Sequence, residues 1–213
     1  MGNNDRTVFT KRIGVAVSES LDGPWQRMDK PLMEIAPEGN WDDCCTTNPA
    51  FLRHPNGENW LYFKSWNAKE YRDQSGGIRG NRKYGLAISQ RIDGGYERYQ
   101  GNPIVDFSKF GNNRQVEDAF VYIEDGKFKM LMRDMGYFDH NVGLLFESPD
   151  GINWSLPKIA WYSAYKYSIV AENQTRNSFE RPQLLMKDGK PDYLFSALRG
   201  GKYMTSSGFV SKV

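Results

Sequence analysis

Three carboxylates stand directly before apolar runs: Glu117 and Asp118 ahead of Ala119-Phe120-Val121, and Glu180 ahead of Arg181-Pro182-Gln183-Leu184-Leu185. A carboxyl group where a wet surface meets a dry core can have its proton affinity raised. That suits proton donation to a leaving atom, while a neighbouring carboxylate that stays ionised suits a base or a charge stabiliser. Asn48 opens a third run of the same kind, Asn48-Pro49-Ala50-Phe51-Leu52. Four more groups follow these runs at comparable spacings. Lys64 and Arg133 end the second strand of their segments, with Ser196 third, and could bind hydroxyls or a carboxylate-bearing ligand. Asp134 and His140 follow Arg133, and Trp66 follows Lys64. His140 could act as an acid or as a ligand for a central divalent cation, and Trp66 could stack on a ligand ring. The competing roles are structural. Glu117 and Glu180 could cap strands and pair with Arg181 or Arg133, and Trp66 could be core. His54, in Arg53-His54-Pro55-Asn56-Gly57, reads as a turn residue.

What must position these groups is a repeat. Three segments read strand, Asn/Asp-Gly turn, strand: Asn48 to Lys64 around Asn56-Gly57, Glu117 to Arg133 around Asp125-Gly126, and Arg181 to Phe195 around Asp188-Gly189. That dipeptide between apolar runs is a strong hairpin signal. A second family interleaves: Ile13-Gly14-Val15-Ala16-Val17, Tyr84-Gly85-Leu86-Ala87-Ile88 and Val142-Gly143-Leu144-Leu145-Phe146, each followed by a Gly-bearing turn and an aromatic. Its glycines lie 71 and 58 residues apart; positions 48, 117 and 181 lie 69 and 64 apart. Four short antiparallel strands per unit match a β-propeller blade. The chain is expected to be all-β and a single propeller domain over 1–213: a partial blade over 12–28, blades over 48–99 and 117–156, and a partial blade over 180–213. A β-sandwich is the alternative for such short strands. Residues 68–83, 104–115 and 166–179 read as loops, and Trp25 and Trp154 as anchors of the repeat turns.

The rest of the composition narrows the classes. In 213 residues, 28 Lys and Arg face 26 Asp and Glu, so no basic field is present to hold a nucleic-acid backbone. The mean hydropathy is −0.68, and no apolar run is long enough for a membrane span. The start lacks the apolar stretch of a signal peptide, which fits either a cytoplasmic chain or one whose signal has been removed. Cys44 and Cys45 are adjacent and imply no disulfide framework, and two histidines are too few for a His-rich zinc site.

The series Ile13-Gly14-Val15-Ala16-Val17-Ser18, Gly23-Pro24-Trp25, Asn48-Pro49-Ala50, Val116-Glu117-Asp118-Ala119-Phe120, Ser148-Pro149-Asp150-Gly151-Ile152-Asn153-Trp154 and Phe179-Glu180-Arg181-Pro182 resembles the five-bladed β-propeller glycoside hydrolases. Family 117, the neoagarooligosaccharide hydrolases, is the nearest likeness, and family 43 the wider one. The resemblance implies hydrolysis of a glycosidic bond in an oligosaccharide by carboxylates at the mouth of a central funnel, with no cofactor required. It places Glu180 where family 43 keeps its general acid, and Glu117 or Asp118 where the wider family keeps its pKa-setting residue. Family 117 can use a histidine as acid, and no histidine lies near Glu180 in the sequence. Asn48, Lys64, Trp66, Arg133, Asp134, His140 and Arg181 would bind substrate. A non-catalytic carbohydrate-binding or assembly propeller would keep the same repeat. The resemblance also puts the catalytic base on an inner strand ahead of Ile13, where only Asp5 is available, with Asp42 and Asp43 next in line. The chain is therefore expected to be a fragment or to associate through free strand edges at 13–18 and near 203–210.

Overall fold

The computed structural model describes residues 6–74, 80–111, 114–138, 140, 142–162, 178–200 and 205–213. The chain forms two compact units, Met1–Pro103 and Ile104–Val213. The first holds a short helix α1 (Arg6–Phe9), a two-stranded sheet of β1 (Ala16–Val17) and β2 (Gln26–Arg27), and a four-stranded sheet. The latter is a meander of β3 (Thr47–Arg53), β4 (Asn59–Ser65), β5 (Lys83–Ser89) and β6 (Glu97–Arg98), with helix α2 (Ala68–Asp73) after β4. The second unit repeats the meander as β7 (Gln115–Glu124), β8 (Lys127–Met135), β9 (Val142–Ser148) and β10 (Lys158–Tyr162). It then adds a three-stranded sheet of β11 (Ser178–Lys187), β12 (Lys190–Gly200) and β13 (Thr205–Lys212). All neighbouring strands within these sheets are antiparallel.

The turns follow from their residues. Asp125-Gly126 and Asp188-Gly189 both have positive φ at both positions, 50° and 73°, and 52° and 76°. This is the mirror-image turn whose twist matches the flanking strands, and it joins Glu124 to Lys127 and Lys187 to Lys190. The Asn56-Gly57 turn is longer. The Glu58 carbonyl accepts from the His54 N–H, the His54 imidazole accepts from the Asn56 N–H, and only Gly57 is left-handed. His54 is a turn residue, stacked on Trp60 at 4.3 Å. The turn after β9 is tied by Asp150, whose carboxylate accepts from the N–H groups of Ile152 and Asn153 and from the Asn153 amide. Burial works against its charge, but these bonds outweigh it and hold the carboxyl down at about 2.

Each unit has its own core. In the first, Ile13, Met33, Leu61, Phe63 and Ala87 cluster, with Trp41 stacked on Phe63. In the second, Phe120, Tyr122, Leu131, Leu145 and Trp161 of the four-stranded sheet gather with Phe179, Leu184, Leu194, Leu198 and Phe209 of the three-stranded one. Two glycines make room for aromatics: a Cβ on Gly143 would fall 1.9 Å from the Trp161 ring, and one on Gly85 would fall 2.8 Å from Trp41.

Several expectations change. Residues 68–83 are not all loop: Asn67 caps α2 by accepting from the N–H groups of Lys69 and Glu70. The outer strand of the second complete meander is Lys158–Tyr162, beyond the expected end at 156. Trp25, expected as a turn anchor, is 57% exposed instead of packed into a core. Asp42 and Asp43 are committed to the frame. Asp42 pairs with Arg98 at 2.7 Å, and Asp43 accepts from Gly39 N–H at 2.7 Å and Ala68 N–H at 2.6 Å, clamping α2 to the preceding loop. Most of the segment 166–179 lies outside the described residues.

The Gly143–Trp161 contact gives a direct test. Gly143→Ala forces a methyl group into a buried indole and should lower stability by about 1–3 kcal/mol. Gly208, which has nothing within 4 Å of its missing Cβ, should accept alanine with no loss. Equal thermal midpoints for the two variants would contradict this packing.

Candidate active site

One irregularity recurs in the first strand of each large sheet. The ladder slips between Thr47 and Ala50, between Glu117 and Phe120, and between Glu180 and Gln183. In each case the residue after the last regular pair is left-handed: Asn48 at φ 46°, Asp118 at 57° and Arg181 at 53°. These are β-bulges, which bend a strand and re-aim its side chains. They set the true equivalences. Thr47, Glu117 and Glu180 occupy one position, and Asn48, Asp118 and Arg181 the next. The expected alignment of Glu117 with Asn48 and Arg181 is thus off by one residue, which in a strand is a change of face. Opposite the first set stand Lys64, Arg133 and Ala197. The third member of that group is Ala197, not Ser196.

Two bulges in the second unit are joined. The Asp118 carboxylate, 7% exposed, accepts a hydrogen bond from the Arg181 backbone N–H at 3.3 Å. Asp and Asn tolerate the left-handed region because their short polar side chains bond locally, whereas arginine has no such relief. Arg181 keeps its conformation with its N–H taken by Asp118, and it is exposed, so its guanidinium is presented to solvent. One position earlier, Glu180 pairs with Arg133 at 2.7 Å, their side chains 18% and 19% exposed. Arg133 is also the cross-strand partner of half-buried Glu117. Glu117, Asp118, Arg133, Glu180 and Arg181 therefore form one charged group at the bulged ends of β7 and β11. It combines carboxylates that can hold or give a proton with guanidinium groups that can hold sugar hydroxyls or a carboxylate.

Asp134 and His140 take other roles. Asp134 is fully buried, and its two oxygens accept from the N–H groups of Gly136, Tyr137, Phe138 and His140 at 3.0, 2.7, 3.0 and 3.1 Å. It shapes the loop before β9 instead of facing a ligand. His140 is exposed, with φ 66°, and it is fixed to Asp134 through its backbone. Among the described residues no group of three or more His, Cys, Asp and Glu side chains is placed to hold a metal ion.

The first unit carries the remaining candidates. Asn48 accepts from the Thr47 hydroxyl at 2.9 Å. Lys64 is 4% exposed, with its ammonium 5.5 Å from the centre of the Trp66 ring. Trp66 is 5% exposed, stacked by Tyr71 at 5.6 Å and flanked by Arg82 at 5.9 Å. Its faces are occupied by the protein, so the role of open sugar platform does not fit it. Sequence reading passed over Thr47 and Arg82. The signal for the bulge was present: aligning Asn48-Pro49, Asp118-Ala119 and Arg181-Pro182 puts two prolines and an alanine in one column.

No family model and no curated protein matches this sequence. Solved structures do. Zg3597, a family 117 glycoside hydrolase produced by the marine bacterium Zobellia galactanivorans, is similar at 15% identity and a TM-score of 0.62. The match covers 92% of this chain and 49% of that one. A thermostable family-43 glycoside hydrolase is similar at 12% identity and a TM-score of 0.63, over 94% of this chain and 62% of its own. The fructofuranosidase from Schwanniomyces occidentalis, solved with fructose, is similar at 18% identity and a TM-score of 0.62, over 94% and 37%. The fold is the β-propeller of glycoside hydrolases. The chain spans about half the length of the first of these relatives.

The strained bulge yields a test. Arg181→Gly keeps the N–H that Asp118 holds and removes the steric cost of a side chain at φ 53°. It should stabilise the chain by about 1 kcal/mol, a rise of about 2–4 °C in Tm, while weakening sugar binding. A lower Tm would show that the arginine side chain stabilises the fold.

Proposed function

We propose that this chain carries the acid half of a glycosidase site and acts on the glycosidic bond of an oligosaccharide. The observation that supports it best is the bulge shared by β7 and β11, which gathers Glu117, Asp118 and Glu180 around Arg133 and Arg181. Glu180 is the proton donor to the leaving oxygen. In the free protein it rests on Arg133, and an incoming sugar hydroxyl replaces it there, freeing the carboxyl to turn toward the scissile bond. Asp118 fixes the bulge that aims Glu180 and Arg181. Glu117, the cross-strand neighbour of Arg133, is the carboxylate placed to steady that guanidinium after Glu180 leaves. The water-activating carboxylate is not among Asp42, Asp43 and Asp134, all of which bond to the frame.

One observation favours a second reading. The Arg133–Glu180 pair is compact and well shielded, as in a structural ion pair, and a non-catalytic carbohydrate-binding propeller would keep it closed. Glu180→Gln separates the two. If Glu180 is the acid, turnover of substrates with poor leaving groups falls about 10²–10⁴-fold, and activated aryl glycosides, which need little protonation, lose far less. Equal losses on both, or an unchanged rate, would contradict the assignment.

A further inference from the structure

Asn56 is the only asparagine of the chain that is followed by glycine. It lies exposed in the turn between β3 and β4, with its side chain folded over the peptide that follows. Its Oδ1 accepts from the Glu58 N–H at 2.9 Å, and its Nδ2 donates to the Glu58 carboxylate at 2.7 Å. The first of these bonds closes an Asx turn. Such a turn keeps the side-chain carbon Cγ beside the backbone nitrogen of the next residue, here Gly57.

That juxtaposition is reactive. Gly57 has no side chain to crowd a ring formed between its nitrogen and Cγ, and even an added Cβ would meet nothing within 4 Å. The Glu58 N–H rests on Oδ1, the oxygen that takes up negative charge as the nitrogen adds, and so acts as an oxyanion donor. Attacking and attacked atoms are in adjacent residues, so the step carries little entropic cost. One bond opposes it. The Gly57 N–H donates to the His54 carbonyl at 2.9 Å and must be released first, an opening of the kind that exposed turns undergo readily.

We propose that Asn56 is a self-modification site, converted in the folded chain to aspartate and isoaspartate. The Gly57 nitrogen loses its proton and bonds to Cγ, the Cγ–Nδ2 bond breaks, and Nδ2 leaves as ammonia. Water then opens the resulting succinimide. Cleavage between the Gly57 nitrogen and Cγ gives aspartate. Cleavage between that nitrogen and the main-chain carbonyl carbon of Asn56 gives isoaspartate. Water is the only co-reactant.

The product changes the turn. The Asn56 amide is the first reason that the Glu58 carboxyl is held below its usual range, with the Trp60 indole next. Conversion removes that donor and sets a second carboxylate against Glu58. Isoaspartate also adds a backbone carbon to the loop that closes on the Arg53–Asn59 pair. Either product loosens the link between β3 and β4.

The test is to incubate the folded chain at mildly alkaline pH and follow it by ion-exchange chromatography and peptide mass mapping, with an isoaspartate methyltransferase assay. A more acidic form should accumulate, its change should map to Asn56 ahead of every other asparagine, and isoaspartate should be detected. Asn56→Gln keeps an amide but lengthens the side chain, so that the five-membered ring cannot form. It should lose the acidic form and keep the parent's thermal midpoint. Persistence of the acidic form in Asn56→Gln, or earlier conversion of another asparagine, would overturn the proposal. So would a folded chain that stays unmodified while the same chain unfolded in urea converts at Asn56.

Discussion

The hydrogen bond from the Arg181 N–H to the Asp118 carboxylate joins two bulges that are 63 residues apart in the chain. A bulge leaves one residue outside the ladder, and here that residue is left-handed in all three sheets. In β3 and β7 it is Asn48 or Asp118, types that tolerate the conformation. In β11 it is an arginine, and the Asp118 carboxylate holds its N–H. At the bulged strand end Glu180 pairs with Arg133, the cross-strand partner of Glu117. Without the extra residue, the side chains beyond this point would swap faces, and the charged group would be dispersed.

How much of this the sequence revealed depends on the length scale. The antiparallel meanders were legible because Asp125-Gly126 and Asp188-Gly189 admit few other conformations and because apolar runs flank them. The bulge was not, since an inserted residue changes no hydrophobic pattern. Glu117 was therefore matched to Asn48 when Asp118 is its counterpart. The glycine ladder failed in the same way. Gly85 faces Phe63 and Gly143 faces Arg133, and because Lys64 and not Phe63 is the counterpart of Arg133, the two glycines differ by one position. Each is glycine because an aromatic lies over it, Trp41 in one case and Trp161 in the other. Asp134 was legible as a carboxylate near the site but not as a loop anchor, because Gly136, Tyr137, Phe138 and His140 bond it through backbone N–H groups.

Carboxylates serve two purposes in this chain. Asp43, Asp134 and Asp150 satisfy backbone donors of buried loops and turns, bonds that the backbone cannot make for itself there, and Asp42 is closed off by Arg98 at 2% exposure. Glu180 is held by the Arg133 guanidinium at a less buried place, 18% exposed, a partner for which we propose a ligand hydroxyl or carboxylate exchanges. In the proposed reading, an ion pair that a ligand can reach separates Glu180 from the carboxylates that build the frame. The likeness to glycoside hydrolases over 92–94% of the chain is a likeness of fold, and the Arg133–Glu180 pair is the chemical focus proposed for it.

The most direct measurement is a crystal structure of the chain with a thio-linked oligosaccharide, which binds without being cleaved. The account predicts Glu180 released from Arg133 and a carboxyl oxygen within about 3 Å of the linking atom, the reach of a proton donor. A sugar bound elsewhere, with the Arg133–Glu180 pair still closed, would contradict it.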